Sequence, residues 1–300
     1  MKIKKRALLT AVLMTAAFMF GGCGKSDESS KSSTAANEQK PVILTVSFGT
    51  SYNDSREKTI GAIEKSIADA YPDYEVRRAF TSQTVIDILK ERDNIETDNV
   101  DQAFDRLVSD GVKTVVVQPT HIMSGYEYDD LAAAVETYKD KFDKVAMGSP
   151  LLTSDDDYKT LVNALTSETS EYNKEGTAIV FMGHGTEHDS NSAYAKLADT
   201  FTESGANNYY VGTVEATPSL DDVVASVKAG NYSKVVLEPL MVVAGDHANN
   251  DMAGDEDGSW KKTFEDEGYE VECLLRGLGE LEEVQKMYVS HVQAAIDSLK

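Results

Sequence analysis

The sequence predicts an α/β fold built from two similar Rossmann-like halves, whose parallel sheets face a central cleft. Three observations support this prediction. Strand-like and helix-like segments alternate from residue 41 onward, the strand-like segments are apolar throughout, and the two halves of the chain share short motifs. Continuous apolar strands with helices between them are typical of parallel sheets that are covered on both faces. We therefore expect an N-terminal half over residues 41–150 and a C-terminal half over residues 151–300.

Eight segments have the composition of buried strands. They are residues 42–47, 74–80, 114–118, 145–148, 178–182, 209–214, 235–240 and 271–275. The first helix should begin near Asp54, a residue type that caps helices well, and place Ile60, Ile63 and Ile67 on one face. Thr97 is the expected cap of a later helix, and the last helix should span about 281–299.

The duplication is visible at two places in the sequence. Residues 118–127 align without gaps on residues 238–247, and residues 46–50 match residues 182–186 at their last two positions. A duplicated α/β unit places matching loops on the two sides of a cleft. That cleft is therefore the expected functional site.

The aligned loops differ in the residues that could perform chemistry. Glu127 in the first half takes the position of His247 in the second half, and Phe48 takes the position of His184. The two sides of the cleft are therefore expected to have different chemical roles.

Charge and motifs exclude several classes of function. The chain has 300 residues and a formal net charge of −22, which argues against a nucleic-acid partner because such proteins carry a basic surface. The predicted strand ends carry neither a Gly-Lys-Ser/Thr phosphate loop nor a Gly-x-Ser-x-Gly nucleophile motif. A homo-oligomer remains compatible with the sequence.

The N-terminus has the features of an export signal. Residues 1–22 combine a basic start with a short apolar stretch, and Cys23 follows at the end of that stretch. The segment FGGCG resembles the lipobox of bacterial lipoproteins, although Phe20 stands where Leu is usual, and an ordinary secretory signal is the alternative. Residues 23–40 are expected to be the lipidated Cys23 and a disordered tether, which would place the protein outside the cytoplasm on a membrane surface. Cys273 would then be a buried core thiol.

Two histidines and one glutamate follow predicted strands. His184 lies between two glycines, His247 lies in a polar loop, and Glu215 ends an apolar strand. Open α/β sheets bind ligands at the carboxyl ends of their strands, and two imidazoles with one carboxylate suit a divalent metal that keeps open positions.

The other three histidines are weaker candidates. His121 fits either a base at the edge of the site or a packed histidine. His188 and His291 are expected to be peripheral, because one lies in a polar loop and the other in the last helix.

Several motifs together resemble a known family. The segments VSFGTS, RAFTS, FMGHG, VE and PLMVVAGDHA-x-NDM are similar, in order and spacing, to those of the anaerobic, CbiK-type cobalt chelatases of cobalamin synthesis. This likeness runs from about Val42 to the C-terminus. It implies a class II chelatase, with two α/β halves around a cleft, that inserts a divalent metal into sirohydrochlorin.

The resemblance also implies roles for individual residues. The family's metal ligands fall on His184, Glu215 and His247, and an acidic cleft residue falls on Glu127. His184 is then the first candidate for the proton acceptor, with Glu127 as the alternative, because a metal-bound nitrogen cannot also accept a proton. The candidates for contact with the tetrapyrrole are Phe48, Gly49, Thr50, Arg78 and Gly185.

Two functions stay open from the sequence. The first is a chelatase that uses Co²⁺, with Fe²⁺ or Ni²⁺ as alternatives, because imidazole and carboxylate ligands discriminate poorly among these metals. The second is a surface-tethered protein that binds haem, another tetrapyrrole or a metal without turnover. Most family members are cytoplasmic, but some related chelatases are exported and bind haem.

Overall fold

The computed structural model describes residues 39–300, which contain two parallel four-stranded sheets. The strands are β1 (Val42–Ser47), β2 (Glu75–Phe80), β3 (Thr114–Pro119), β4 (Lys144–Met147), β5 (Thr177–Gly183), β6 (Tyr209–Thr213), β7 (Lys234–Pro239) and β8 (Glu270–Cys273). The first sheet has the order β2-β1-β3-β4 and the second has the order β6-β5-β7-β8. All eight predicted strands are present, and the predicted fold class is confirmed.

Helices connect the strands in both halves. They are α1 (Asn53–Arg56), α2 (Ala62–Ala70), α3 (Gln83–Asp93), α4 (Val100–Ser109), α5 (Tyr126–Tyr138), α6 (Asp155–Glu168), α7 (Ser192–Glu203), α8 (Leu220–Lys228), α9 (Trp260–Asp266) and α10 (Glu282–Ser298). A π-helical turn (Glu57–Gly61) joins α1 to α2. Within residues 39–300, no helix combines the length and apolar character needed to span a bilayer.

The first helical segment packs as its sequence predicts, but Asp54 is not its cap. Ile60, Ile63 and Ile67 are fully buried, as the spacing of apolar residues indicates. Asp54 lies within the first turn, while Tyr52 occupies the N-cap position without a capping side-chain hydrogen bond. Asp54 therefore contributes negative charge near the helix N-terminus rather than a cap.

The cap of α4 differs from the prediction. Asn99, and not Thr97, is the N-cap residue, and its side chain accepts a hydrogen bond from the Gln102 backbone N–H. The Gln102 side chain accepts a bond from the Asn99 N–H in return. A capping box needs Glu, Gln or a similar acceptor three residues after the cap, and only Asn99 has one.

The two sheets end in loops with the same backbone hydrogen bonds. After β2, the Ser82 N–H donates to the Phe48 carbonyl at 3.2 Å, and after β6 the Glu215 N–H donates to the His184 carbonyl at 2.9 Å. The duplication therefore extends to the second strand of each sheet. Phe48, Ser82 and Glu127 are the positional counterparts of His184, Glu215 and His247.

The last helix joins the two halves. Helix α10 follows the second sheet in the chain, yet it packs against α2, β3 and β4 of the first half. Tyr288 of α10 is fully buried, and its hydroxyl donates to the Thr120 carbonyl at 2.8 Å. The C-terminal helix thereby fixes the loop that follows β3.

Only one of the two cysteines, Cys273, lies within the described residues. The predicted signal peptide, Cys23 and the tether up to residue 38 lie outside the described residues. Cys273 ends β8, where it is partly buried rather than fully buried as predicted. Burial raises the pKa of its thiol to about 11, which disfavours the reactive thiolate.

A buried ion pair connects β7 to the segment before α10. Glu238 is 1% exposed, and Nε of Arg276 lies 2.5 Å from one of its carboxylate oxygens. Burial raises the pKa of Glu238, and the guanidinium of Arg276 opposes that rise. The counterpart in the first half is Gln118, a neutral side chain that donates to the carbonyls of Pro119 and Ser149.

Removing the cation should destabilise the protein by leaving a buried charge unpaired. We expect R276M to lower the free energy of unfolding by about 3 kcal/mol at neutral pH, measured by urea denaturation. The double variant E238Q/R276M should recover most of this loss.

The loss should also depend on pH. Because burial raises the folded-state pKa of Glu238 above its unfolded value, protonation favours the folded state, so the deficit of R276M should shrink as the pH is lowered from neutral. Equal losses in the single and double variants at every pH would instead assign the effect to packing of the arginine stem.

Candidate metal centre and cleft

Three neighbouring strands bring the candidate metal ligands together. His184 follows β5, Glu215 lies two residues after β6, and His247 is the N-cap residue of a π-helical turn (Ala248–Met252) that comes after β7. These strands are adjacent in the order β6-β5-β7, and neighbouring strands lie about 4.8 Å apart, so their carboxyl ends meet. One donor atom from each of the three residues lies within 4.8 Å of the other two.

Two glycines allow His184 to take its position. Gly185 has φ +87°, and a Cβ there would lie 2.8 Å from the backbone nitrogen of Ala216. A Cβ on Gly183 would lie 2.2 Å from the Tyr194 ring, whose hydroxyl accepts a hydrogen bond from the Gly185 N–H at 3.2 Å. The turn therefore requires glycine on both sides of the histidine.

The hydrogen bonds of the two histidines determine which ring nitrogen can bind a metal. Nδ1 of His184 lies 2.8 Å from the Gly185 carbonyl oxygen, which can only accept, so Nδ1 carries the hydrogen. Nδ1 of His247 lies 2.6 Å from a carboxylate oxygen of Asp251 and donates in the same way. In a neutral ring with this tautomer Nε2 is the nitrogen left to act as a ligand, and the hydrogen-bonded partners hold both rings in place.

The geometry of the three side chains leaves the site open. The rings of His184 and His247 are edge-to-face, with centroids 4.7 Å apart, and the Glu215 carboxylate lies 3.8 Å from Nε2 of His184. The side chains of His184 and Glu215 are 46% and 57% exposed. Imidazole nitrogens and carboxylate oxygens lie about 2.0–2.2 Å from a bound divalent metal such as Zn²⁺. Donors on one ion at these distances lie at most about 4.2 Å apart, so binding an ion requires only a small approach of the three side chains.

The metal centre lies in the wall of a large cleft. The cavity has a volume of about 730 Å³ and is lined by loops from both halves, and none of its described lining residues is Lys or Arg. Phe48 and Tyr126 expose about half of their side chains there. The predicted site residues that line it are Phe48, Gly49, Thr50, His121, Glu127, His184, Gly185, Glu215 and His247.

Glu127 and His121 form a pair on the N-terminal side of the cleft. Glu127 lies in the first turn of α5, and its side chain is 45% exposed. Nε2 of His121 lies 3.3 Å from a carboxylate oxygen of Glu127, and the His121 side chain is only 9% exposed. The first half thus contributes an acid–imidazole pair to the cavity, while the second half contributes the candidate metal ligands.

Arg78 is not where we expected it. It does not line the cavity, because it lies within β2, two residues before the strand ends. Its guanidinium makes two hydrogen bonds with the carboxylate of Glu64, at 2.7 and 2.5 Å, and that carboxylate also accepts a bond from the Thr45 hydroxyl. The predicted contact between Arg78 and the substrate's carboxylates is therefore not supported by its position.

The remaining histidines pair with acids outside the cavity lining. His188 lies 3.3 Å from a carboxylate oxygen of Asp129, and His291 lies 3.2 Å from one of Asp157. Neither histidine is among the lining residues.

Sequence reasoning did not single out two supporting residues. Asp251 follows His247 by four residues, the spacing that brings side chains together on one helical turn. The contact between them could therefore have been predicted from the sequence. Tyr194 lies in α7 and reaches the Gly185 backbone from another element. No local pattern could have indicated that contact.

Comparisons with known proteins agree with this architecture. A sirohydrochlorin cobaltochelatase from Salmonella typhimurium is 39% identical over 86% of this chain and 97% of its own length. The sirohydrochlorin cobaltochelatase CbiKC from Nitratidesulfovibrio vulgaris is 34% identical over 87% of this chain and 92% of its own length.

The fold is also found in a solved structure. SirB from Bacillus subtilis, solved with Fe³⁺, superposes with a TM-score of 0.61 and 13% identity, over 87% of this chain and 97% of that one. At this identity the likeness concerns the fold alone. The family model for cobalt chelatase (CbiK) matches residues 41–297. The chain therefore belongs to the cobalt chelatase (CbiK) family.

Proposed function

We propose that this protein inserts Co²⁺ into sirohydrochlorin, as a step in the synthesis of cobalamin-type tetrapyrroles. The observation that carries the proposal is the convergence of the His184, Glu215 and His247 donor atoms within 4.8 Å, on the wall of a cavity that both halves line. Membership of the cobalt chelatase family and the two similar cobaltochelatases support the same reaction.

The metal is a substrate, and the site is suited to hold it briefly. Two neutral imidazoles and one carboxylate leave a bound Co²⁺ with a net positive charge and open coordination positions. The macrocycle can approach those positions with its pyrrole nitrogens while the protein ligands still hold the ion. The exposed aromatic rings of Phe48 and Tyr126 offer apolar contact to the flat face of such a ring.

Insertion also requires two proton transfers. The macrocycle loses two N–H protons as its nitrogens bind the metal, and a group in the cleft must accept them. His184 and His247 use Nε2 for the metal and Nδ1 as a hydrogen-bond donor, so neither ring can accept a proton while the metal is bound. Glu127 is therefore the proposed acceptor.

Loss of either histidine ligand should abolish most of the activity. We expect H184A and H247A each to lower the rate of Co²⁺ insertion at least about 100-fold, since even outer-shell changes cost 10–100-fold. The change in the absorption spectrum of sirohydrochlorin measures the rate. Stoichiometric binding without turnover in the unsubstituted protein would instead favour a tetrapyrrole- or haem-binding protein, the alternative function.

Asp251 should affect the metal through His247. We expect D251N to weaken Co²⁺ binding about 10–100-fold, because the amide no longer accepts the Nδ1 hydrogen as a carboxylate does. Isothermal titration with Co²⁺ measures the affinity. D255N is the matched control, since Asp255 lies in the same acidic segment but pairs with Lys261 instead. Equal effects of the two substitutions would assign the loss to general charge.

Three divalent metals are candidates for insertion, and a competition experiment can distinguish them. Fe²⁺ and Ni²⁺ suit the same donor set, and we propose Co²⁺ because the relatives named above are cobaltochelatases. Insertion rates measured with equal concentrations of the three metals decide among them.

We further propose that the protein is exported and held at the outer face of the membrane by lipid on Cys23. The support is the sequence of residues 1–24, with its basic start, short apolar stretch and lipobox-like end. We expect C23S to move the protein from the detergent phase to the aqueous phase in a phase-partition experiment, with the chelatase rate unchanged. Equal partition of C23S and the unsubstituted protein would contradict a lipid anchor.

A further inference from the structure

The first half of the protein contains an unusual buried imidazole. The His121 side chain is 9% exposed, and within residues 39–300 neither of its ring nitrogens has a partner in hydrogen-bonding geometry. Buried polar atoms are normally satisfied, so an orphaned pair in one ring calls for a functional explanation. The ring lines the same cavity as the metal centre.

The neighbour of this imidazole is the proposed proton acceptor. Nε2 of His121 lies 3.3 Å from a carboxylate oxygen of Glu127, which is within ion-pair distance but outside the angles of a good hydrogen bond. Catalytic hydrogen bonds are often long or misaligned before substrate binds and shorten afterward. A small rotation of either side chain would complete this one.

Two hydrogen bonds hold the backbone of His121. Its carbonyl accepts hydrogen bonds from the Leu151 N–H at 2.9 Å and from the Tyr288 hydroxyl at 3.4 Å. Tyr288 is itself fully buried in α10. The C-terminal helix therefore fixes the loop that presents His121 to Glu127.

We propose that His121 is a positioning residue for Glu127 and holds the first of the two protons released during insertion. This inference rests on the proposed chelatase function. The Glu127 carboxylate takes the first pyrrole N–H proton and passes it to Nε2 of His121, which becomes an imidazolium. The freed carboxylate then takes the second N–H proton.

Protons and charge balance in this order of transfers. Two N–H bonds break, and the two protons end on Nε2 of His121 and on the Glu127 carboxyl group. The pair changes its charge from −1 to +1 while the metal centre loses the +2 charge of Co²⁺. The total charge of the cleft is therefore constant during insertion, and both protons leave to solvent after the product departs.

The test combines single and double substitutions in the full chain. We expect E127Q to lower kcat about 100-fold and H121A about 10- to 100-fold, with the affinity for Co²⁺ unchanged in both. The double variant H121A/E127Q should be no slower than E127Q, because His121 acts only through the carboxylate. Added imidazole should restore part of kcat in H121A and none in the double variant.

The control is a second buried histidine–carboxylate pair. H291A removes a side chain that is 13% exposed and lies 3.2 Å from Asp157, outside the cavity lining. It should keep kcat within about twofold of the unsubstituted protein. H121Q, which keeps a polar side chain of similar size, repeats the measurement should H121A fail to fold.

The outcomes separate this inference from the proposed function. A kcat near that of the unsubstituted protein in H121A and H121Q, or losses that multiply in H121A/E127Q, would overturn the role of His121 alone. Absence of insertion in the unsubstituted protein would overturn the chelatase function and this role with it.

Discussion

The strand order β6-β5-β7 is the constraint on which the rest of the site depends. Parallel strands end at one edge, so the residues that follow three adjacent strands meet although they lie up to 63 positions apart in the chain, from His184 to His247. The turn at Gly185 then directs the first imidazole toward that meeting point. A one-residue change of register in β5 would reverse the faces of its side chains and displace His184 from the other two residues.

Duplication explains why the cleft has two different sides. The backbone bonds after β1 and β2 repeat those after β5 and β6, so each position on one side has a counterpart on the other. Where the second half has His184 and His247, the first half has Phe48 and Glu127. One half therefore carries the candidate metal ligands, while the other carries an aromatic ring and the proposed proton acceptor. With this division, the proton acceptor is a different residue from the imidazoles proposed to bind the metal.

The strands could be predicted, and the candidate metal ligands selected, because both depend on local composition. An apolar run followed by a glycine-flanked histidine identifies a strand and its end in one pattern. The alignment of the two halves pairs Glu127 with His247 through sequence alone, since the matching segments contain no gaps. Family resemblance independently implies the same ligands.

Other features depend on distant contacts that no local pattern encodes. Arg78 has the charge expected for binding a substrate carboxylate, but its guanidinium already donates hydrogen bonds to the carboxylate of Glu64 in α2. His121 lies in a loop whose backbone is bonded by Tyr288 of α10, a helix that begins more than 150 residues later in the chain and packs against the first sheet. Its chemical environment could therefore not be read from the sequence around it.

A chelatase must release its metal as well as bind it, and the donor set reflects this requirement. Structural metal sites are closed by four protein ligands, whereas the candidate site offers three, with about half of the His184 and Glu215 side chains exposed. A single carboxylate leaves the bound ion at a net charge of +1 in the protein, but the doubly deprotonated macrocycle neutralises it completely. The proposed transfer is therefore favoured electrostatically once the protons have an acceptor. Proton acceptance in the first half and metal release in the second are then two parts of one step.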